Sequence, residues 1–432
     1  MNKTLGIPVL IKCAFLAFLI SFGCSSNDEQ EIPPEFTISN TGPYIMNAAH
    51  LELLRDEVEN NPFLQDELNI LLTGADQLLG REFSYVTDKT HRPEGATPND
   101  YVSMDRYAWP NSDGEYTINA RRDGVTNPEI FDDSRYDRER MAEFSSAVYT
   151  LSLAYFYSND ESYAEKAAEL IKNWFLNIET RMNPNLNFAQ IRPGQPGSGG
   201  GGSPGIIDTN DLIRIVEGVS LIFDSPSWSG TNHKELKEWF YTFSIWIIEN
   251  YNADAYSSSN LSTWMDVQRS VYFLFSEQEE RLNSNFHISP ISQRIDNHIN
   301  PMGIQANELS RQRQRHYEFF NLRAYMQLSL IRKNRSGNDR DWPKLDSENF
   351  GGLKPALDVV KEDVVNTRHR RDLLDDDQFD TCRYLELFLP AAVAFESEEY
   401  SGAAKQLIER GCSNPDVTLI HPALDLINDS NE

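Results

Sequence analysis

The segment that decides the fold is residues 141–157, which read MAEFSSAVYTLSLAYFY. Its apolar side chains recur at spacings of three and four residues, so that Phe144, Val148, Leu151 and Tyr155 fall on one stripe. This is the period of an α-helix that buries one face against other elements. The segment therefore predicts a long helix packed into a core.

The same period continues through most of the chain after residue 47. We predict further helices over residues 163–176, 212–223, 234–250, 262–275, 313–331 and 382–394. Strand-like alternation is nearly absent, and many apolar stripes are wide and rich in aromatic residues, which favours helices packed on two sides. We see no linker and no strict repeat. The prediction is an all-α protein with one domain of repeated helices over residues 41–430.

The first residues predict a targeting signal. Lys3 and Lys12 flank the start of an apolar run that ends at Gly23-Cys24 and is too short to anchor the chain across a bilayer. The junction resembles a bacterial lipoprotein cleavage site, which makes residues 1–23 a signal peptide and Cys24 the lipidated residue. Residues 24–40 are polar, acidic and proline-rich, which predicts a disordered tether.

This interpretation places the protein on a lipid anchor, in the bacterial periplasm or on the outer-membrane surface. The acidic patch after Cys24 is similar to the surface-export tether of Bacteroidetes lipoproteins. The alternative is an ordinary secretory signal followed by free release. Cys382 and Cys412 are the other cysteines of the mature chain, and an oxidising compartment permits them to pair, although sequence leaves the pairing open.

The formal net charge of −27 argues against nucleic acid as a partner, because a duplex requires a basic footprint. It does not exclude an acidic polysaccharide, since distant charges are screened within about 10 Å and a local cationic cleft prevails there. No spacing of cysteines and histidines is typical of a zinc site, and we expect no cofactor. We expect a monomer.

A cluster of cations stands out in this acidic chain. Residues 308–317 read ELSRQRQRHY and place three arginines, a histidine and a tyrosine within ten positions. Cations beside a titratable phenol indicate an anionic substrate, whereas the simpler interpretation is a solvated basic face. On a helix, Arg313 and Tyr317 share one face, and Arg311 and Arg315 share another.

Two further segments carry groups that suit sugar hydroxyls. Residues 181–190 contain three asparagines, among them Asn187, and end at Gln190; amides both donate and accept hydrogen bonds. Turn chemistry is the simpler interpretation of that segment. Residues 260–268 predict a helix start, on which Asn260, Trp264 and Gln268 recur at spacing four and form one wall.

Two loops interrupt the helices. Residues 101–128 are rich in turn-forming residues and contain Arg121-Arg122. Residues 192–205 are almost a glycine linker, which predicts either a mobile lid or a plain surface insertion.

Taken together, these stretches resemble the alginate lyase superfamily of helical-toroid polysaccharide lyases. The resemblance extends over roughly residues 80–335 and rests on RRDG at 121–124, NPE at 127–129, AVYTL at 147–151, YAEKAA at 163–168, residues 180–190, GIIDT at 205–209, and the segments 260–268 and 308–322. It implies an incomplete (α/α) barrel of antiparallel helix pairs with a cleft or tunnel. It also implies cleavage of a uronate polymer, alginate or glucuronan, by β-elimination.

The implied chemistry explains the residue types. A uronate gives up its C5 proton only when donors neutralise its carboxylate, after which a base removes the proton and an acid protonates the leaving O4. A family tyrosine performs one or both proton transfers, and since tyrosine ordinarily titrates near 10, cations must favour its phenolate. The resemblance assigns this role to Tyr317, with Arg313 and His316 beside it, and assigns carboxylate neutralisation to Asn260 and Arg313. The expected substrate-binding residues are Arg122, Asn187, Gln190, Trp264, Gln268 and Arg311.

The chain departs from the family at one position. The family motif continues Asn-His-Gly, whereas this sequence reads Asn260-Leu261-Ser262, so that Leu261 replaces the histidine. Three outcomes are open: His316 takes over, the enzyme relies on Asn260, Tyr317 and arginines, or the site is degraded and the protein only binds sugar.

Two other functions therefore remain as alternatives. One is a non-catalytic glycan-binding lipoprotein on the same scaffold. The other is an (α/α)-barrel glycoside hydrolase, which needs two carboxylates flanking the scissile bond. Asp208, Asp211 and Asp266 are the candidates for that pair, and sequence does not show whether any two of them converge.

Overall fold

A computed structural model of the chain describes residues 34–118, 122, 124–195, 203–251, 259–282, 291–336, 352–366 and 379–422, and most of these residues are helical. The helices are α1 Ala48–Glu57, α2 Pro62–Leu79, α3 Arg138–Ser158, α4 Glu161–Ile171, α5 Ile213–Leu221, α6 Gly230–Asn250, α7 Asn260–Phe275, α8 Ile291–His298, α9 Ala306–Leu309, α10 Gln314–Ser336, α11 Leu353–Val365, α12 Leu385–Phe395, α13 Glu398–Glu409 and α14 Pro415–Thr418. The prediction of an all-α protein is confirmed, and each predicted helix lies within a few residues of an observed one.

Short turns reverse the chain between neighbouring helices. Between α3 and α4, Asn159 adopts a left-handed conformation with φ of 57°, and the Asp160 side chain accepts the N–H of Ser162 at 3.0 Å. A left-handed residue ends one helix and an aspartate caps the next, so two residues suffice for the reversal. Glu396, with φ of 49°, has the same place between α12 and α13. The result is a series of antiparallel helix pairs.

Helix α3 lies at the centre of the core and packs against α2, α4 and α5. The predicted stripe is buried at Phe144, Val148 and Leu151, and Phe144 stacks on Trp174 with ring centroids 4.6 Å apart. Further along the chain, α7 packs against both α6 and α10. Burial of these apolar faces supplies the main driving force for the fold.

Buried carboxylates attach the first and last parts of the domain to its body. Glu67 on α2 accepts hydrogen bonds from the hydroxyls of Ser413 and Thr418, each at 2.6 Å, and so holds the C-terminal turn. Glu217 on α5 accepts the N–H groups of Tyr44 and Met46 at 2.9 and 2.8 Å. A buried carboxylate requires such donors, since burying it without them is costly.

The segment before α1 differs in part from its prediction. Residues 1–33, which include the predicted signal peptide, Cys24 and most of the tether, lie outside the described residues. Residues 36–40 were predicted to end the disordered tether, but two of them contact the body of the domain: Phe36 is buried against Tyr241, and Asn40 Nδ2 donates to the Ser220 carbonyl at 2.8 Å. The aromatic ring of Phe36 gains from burial there. No helix within the described residues is long and apolar enough to cross a membrane.

Two small sheets, absent from the sequence prediction, shape one end of the domain. β1 (Val102–Met104) pairs in parallel with β4 (Phe188–Ile191), and β2 (Ala108–Pro110) pairs antiparallel with β3 (Tyr116–Ile118). The first pair brings the loop after β1 beside the end of β4. At the other end of the chain, Cys382 and Cys412 form a disulfide, which answers the question that the sequence left open.

Candidate active site

A cavity of about 620 Å³ opens where the N-terminal ends of three helices meet the loop between β1 and β2. Its walls are formed by the first residues of α3, α7 and α10, together with residues 105–107, Gln190 on β4 and residues 207–211. Helix N-termini carry partial positive charge from unpaired N–H groups. The backbone alone therefore makes this cavity favourable for an anionic ligand.

Tyr317, in the first turn of α10, is the best-placed titratable group of the cavity. Its hydroxyl is hydrogen-bonded to the hydroxyl of Tyr107 and accepts a hydrogen bond from Arg311 Nη2 at 2.9 Å. The Arg311 guanidinium also lies 4.0 Å from the centre of the Tyr317 ring. The side chain is 7% exposed, which limits competition from water for these partners. A cation and a second phenol thus both face the oxygen that would carry charge.

The arginine beside Tyr317 is Arg311 and not Arg313. The prediction that Arg313 shares a helical face with Tyr317 is wrong because α10 begins at Gln314, and residues 311–313 form a bend before it. Arg313 instead precedes the helix. Its backbone carbonyl accepts the N–H of Tyr317 at 3.1 Å. Its side chain packs near Gly124. Arg311, predicted as a substrate-binding residue, lines the cavity.

Asn260 begins α7 and also lines the cavity. Its backbone N–H and its Nδ2 donate to the two carboxylate oxygens of Glu308, each at 2.8 Å. The next residue, Leu261, also lines the cavity. The position at which the family carries a histidine therefore faces the cavity with an apolar side chain.

His316 lines the cavity but is uncharged. Burial lowers its pKa to about 3, and the positive charges of Arg313, Arg383, Arg106 and Arg311 add to the effect. The imidazole stacks on Phe320 with an interplanar angle of 9°. The expectation that His316 adds positive charge beside Tyr317 is thus wrong, because an imidazole among four guanidinium groups does not bind a second proton at neutral pH.

Gln190 lies in the cavity, as predicted, and is held in an unusual backbone conformation with φ of 50°. Its Nε2 donates to Asp208 Oδ1 at 2.9 Å, and its backbone N–H donates to Ser103 Oγ at 2.8 Å. Asp208 also forms an ion pair with Arg138 and accepts a hydrogen bond from Tyr101. This carboxylate is therefore fully engaged with its neighbours.

Of the three carboxylates proposed for a hydrolase, Asp208 and Asp211 line the cavity and Asp266 does not. Asp266 forms a buried ion pair with Arg294 in the core. Both oxygens of Asp208 already accept hydrogen bonds, and one of them pairs with Arg138, so this carboxylate is held by its neighbours. A hydrolase needs one carboxylic acid and one carboxylate across the scissile bond. The geometry therefore disfavours this alternative.

Four predicted substrate-binding residues lie outside the cavity. Trp264 and Gln268 are fully buried, and Gln268 Nε2 donates to the Ile206 carbonyl at 2.8 Å. Their common face is the core face of α7, because spacing identifies which residues share a face but not what that face contacts. Asn187 is exposed on the segment before β4, and Arg122 is exposed with its guanidinium 4.4 Å from the centre of the Trp109 ring. The neighbouring asparagines Asn183 and Asn185 donate hydrogen bonds to Asp100, which gives them a structural role in this segment.

Among the cavity residues that the sequence analysis missed are Arg106 and Tyr107, in the loop between β1 and β2. Asp105 beside them pairs with Arg192 at 2.9 Å, whereas Arg106 has no carboxylate within ion-pair distance among the described residues. An arginine followed by a tyrosine in a turn-rich loop was the available signal.

In the described parts of the chain, no three histidine, cysteine or acidic residues are grouped to hold a metal ion. Most of the glycine-rich segment, residues 196–202, lies outside the description.

The cavity at these helix N-termini is lined by arginines, amides and two hydrogen-bonded phenols, which are groups that can hold an anionic sugar. The sequence profile of the alginate lyase family matches residues 85–369, and the chain belongs to this family. It is a polysaccharide lyase. No protein of curated function matches the sequence.

Solved structures support the fold assignment. The chain is similar to an alginate lyase from Bacteroides ovatus, with a TM-score of 0.77, 24% identity, and coverage of 88% of this chain and 99% of that one. It is also similar to a histidine-to-alanine variant of alginate lyase A1-III, an enzyme of Sphingomonas species A1, complexed with a tetrasaccharide. That match has a TM-score of 0.51 and 14% identity, and covers 81% of this chain and 93% of that one. The prediction of an (α/α) toroid is confirmed.

Proposed function

We propose that the protein cleaves alginate by β-elimination, with the reacting uronate bound in the cavity beside Tyr317. The observation that carries this proposal is the position of the Tyr317 hydroxyl between the Arg311 guanidinium and the Tyr107 hydroxyl. Family membership supports the reaction class, and the names of the similar solved structures support the polymer.

The first requirement is neutralisation of the uronate carboxylate. Arg311, Arg106 and the amide of Asn260 line one cavity and offer a carboxylate hydrogen-bond donors and positive charge. As the C5 proton leaves, negative charge spreads onto the carboxylate, and donors fixed in place stabilise that charge more than they stabilise the ground state. Glucuronan carries the same carboxylate and is the second substrate candidate.

The second requirement is proton transfer. In its phenolate form, Tyr317 takes the C5 proton, and the electrons of the broken C–H bond spread into the carboxylate as an enolate. As the C4–O4 bond breaks, these electrons form the C4–C5 double bond, and the leaving O4 takes the proton from Tyr317 and becomes a hydroxyl. Arg311 and Tyr107 stabilise the phenolate through charge and a hydrogen bond. This scheme is the second of the three outcomes left open by Leu261: the arginines, Asn260 and Tyr317 act without the family histidine.

The assay is incubation of the purified protein with polymannuronate, polyguluronate and glucuronan, followed by ultraviolet absorbance of the unsaturated product. We expect absorbance to rise with at least one polymer, and with alginate blocks first. New reducing ends without absorbance would identify a hydrolase. Binding without either product would identify a non-catalytic glycan-binding protein.

For location, we propose a lipid anchor at Cys24, a flexible tether that ends before Phe36, and a monomer in the periplasm or on the outer-membrane surface. The apolar run ending at Gly23-Cys24 and the acidic residues after it support this proposal. A large polymer outside the cell suits an enzyme held at that surface.

A further inference from the structure

Glu308 contacts two residues that line the cavity, Asn260 and Arg311, without lining the cavity itself. It lies on the short helix α9 and is 3% exposed, and its carbonyl accepts the N–H of Arg311 at 3.2 Å. Its carboxylate reaches across to Asn260 at the start of α7. One turn of chain therefore carries the arginine that contacts Tyr317 and the carboxylate that holds the asparagine.

The contact with Asn260 uses both carboxylate oxygens. Oε1 accepts the backbone N–H of Asn260 and Oε2 accepts its Nδ2, each at 2.8 Å. Ser259, the residue at the N-cap position of α7, makes no capping hydrogen bond with its side chain. Glu308 thus supplies the anion that the N-terminus of this helix otherwise lacks.

This contact decides the orientation of the Asn260 amide. The two ends of an asparagine side chain have nearly the same shape, so hydrogen bonds determine which end is nitrogen. A carboxylate accepts but does not donate, so the end that faces Glu308 must be Nδ2. The second hydrogen of Nδ2 then remains, in a fixed plane, for a ligand in the cavity.

We propose that Glu308 is a positioning residue for the elimination reaction, which fixes Asn260 so that its amide donates to the uronate carboxylate. The inference rests on the proposed function, because it assumes that Asn260 faces the reacting sugar. Glu308 itself does not touch substrate. Its buried negative charge is a disadvantage near a polyanion, which explains why two hydrogen bonds and the nearby Arg311 accompany it. Burial raises the pKa of Glu308, and the hydrogen bonds from Asn260 and the charge of Arg311 oppose that rise.

The test is a double-mutant cycle with Glu308→Gln and Asn260→Ala. Glutamine keeps the volume but offers a single acceptor, so the amide of Asn260 loses its fixed orientation. We expect Glu308→Gln to lower kcat roughly tenfold to a hundredfold, the scale for a misplaced donor to developing charge. KM should stay level or fall, because a negative charge near the anionic substrate is removed. In the Asn260→Ala background, Glu308→Gln should change kcat by less than about twofold, since residues that act as a unit are not additive.

The matched control is Glu67→Gln. Glu67 is also a buried carboxylate with hydroxyl and backbone donors, but it holds the C-terminal turn instead of the cavity. It should lower the melting temperature and leave kcat unchanged. If Glu308→Gln behaves like this control, or if the two site mutations are additive, the positioning role is overturned.

A wild-type protein that gives no unsaturated product would refute the proposed function without deciding this inference. In that case the same cycle is measured as the Kd for tetramannuronate by calorimetry. Coupling between Glu308 and Asn260 in binding supports the positioning role, and additive effects overturn it. A protein that neither cleaves nor binds the oligosaccharide overturns both proposals.

Discussion

The hydroxyl of Tyr107 is hydrogen-bonded to the hydroxyl of Tyr317, although the two residues are 210 positions apart in the sequence. Arg311 Nη2 reaches the same Tyr317 oxygen at 2.9 Å. A phenol that donates to a phenolate stabilises it, and a guanidinium does so more strongly because its hydrogen bond is charge-assisted. We therefore expect the loop between β1 and β2 to take part in the chemistry, beyond forming a wall of the cavity.

Tyr107→Phe tests this relationship. The change removes one hydrogen bond to Tyr317 and keeps the ring. We expect kcat to fall about tenfold, because tenfold corresponds to about 1.4 kcal/mol, which is the scale of one hydrogen bond. The rising limb of the pH–rate profile should move to higher pH, because the phenolate has lost a donor. Tyr85→Phe, which removes a hydroxyl bonded to Asn173 away from the cavity, is the control. An unchanged profile for Tyr107→Phe would show that the loop is structural.

His316 should affect stability in acid. Its pKa is lowered from 6.5 to about 3 in the folded protein, so the unfolded chain binds a proton first as the pH falls. The contribution of His316 to stability is therefore full above about pH 6.5 and is lost as the pH falls toward about 3. We expect His316→Gln to flatten the acid side of a plot of melting temperature against pH between these values. A variant with the same slope as the parent would show that this histidine is not buried as described.

The disulfide between Cys382 and Cys412 closes a loop of 30 residues. Loop closure of this length predicts a loss of about 3.6 kcal/mol in the free energy of unfolding when both cysteines are replaced by serine. Chemical denaturation of the mature protein measures it. A thiol count on denatured, unreduced protein gives the direct check: we expect none from these cysteines, and two free thiols would refute the bond.

Lipidation is tested at Cys24. The Cys24→Ala variant lacks the cysteine that would accept the lipid. We expect this variant to move from the membrane fraction to the soluble or released fraction. Immunoblotting of fractionated cells measures the distribution, with Ser26→Ala, which changes a neighbouring residue and keeps Cys24, as the control. Equal membrane association of Cys24→Ala and the parent would reject the anchor.

The sequence predicted the parts of the fold that depend on local periodicity. The stripe through Phe144, Val148 and Leu151 is buried as expected, because a period near 3.6 determines one face of a helix wherever the helix lies. The same logic failed for Trp264 and Gln268: they do share a face, but that face meets the core. Periodicity carries no information about which face borders a cavity.

The site contacts that the sequence did not predict depend on more than local pattern. Arg311 displaced Arg313 because the helix starts at Gln314, and a shift of a few residues changes which side chain folds back onto Tyr317. Tyr107 lies in the loop that follows β1, and the pairing of β1 with β4 holds this loop beside the cavity. Both strands are too short to produce a recognisable alternation in the sequence. Tyr317 and Asn260 were found because their motifs are local, and their catalytic roles remain proposals.

The central claim is that Tyr317 transfers the protons of the elimination. The most direct measurement compares the parent with Tyr317→Phe. It records the initial rate at which ultraviolet absorbance rises with polymannuronate as the substrate, together with the Kd for tetramannuronate by calorimetry. The hydroxyl is the only group removed, so we predict a loss of at least about a hundredfold in rate, the usual scale for proton-transfer catalysis, while Kd changes little because Arg311 and Asn260 remain. A Tyr317→Phe variant that eliminates at a rate near that of the parent would contradict the account.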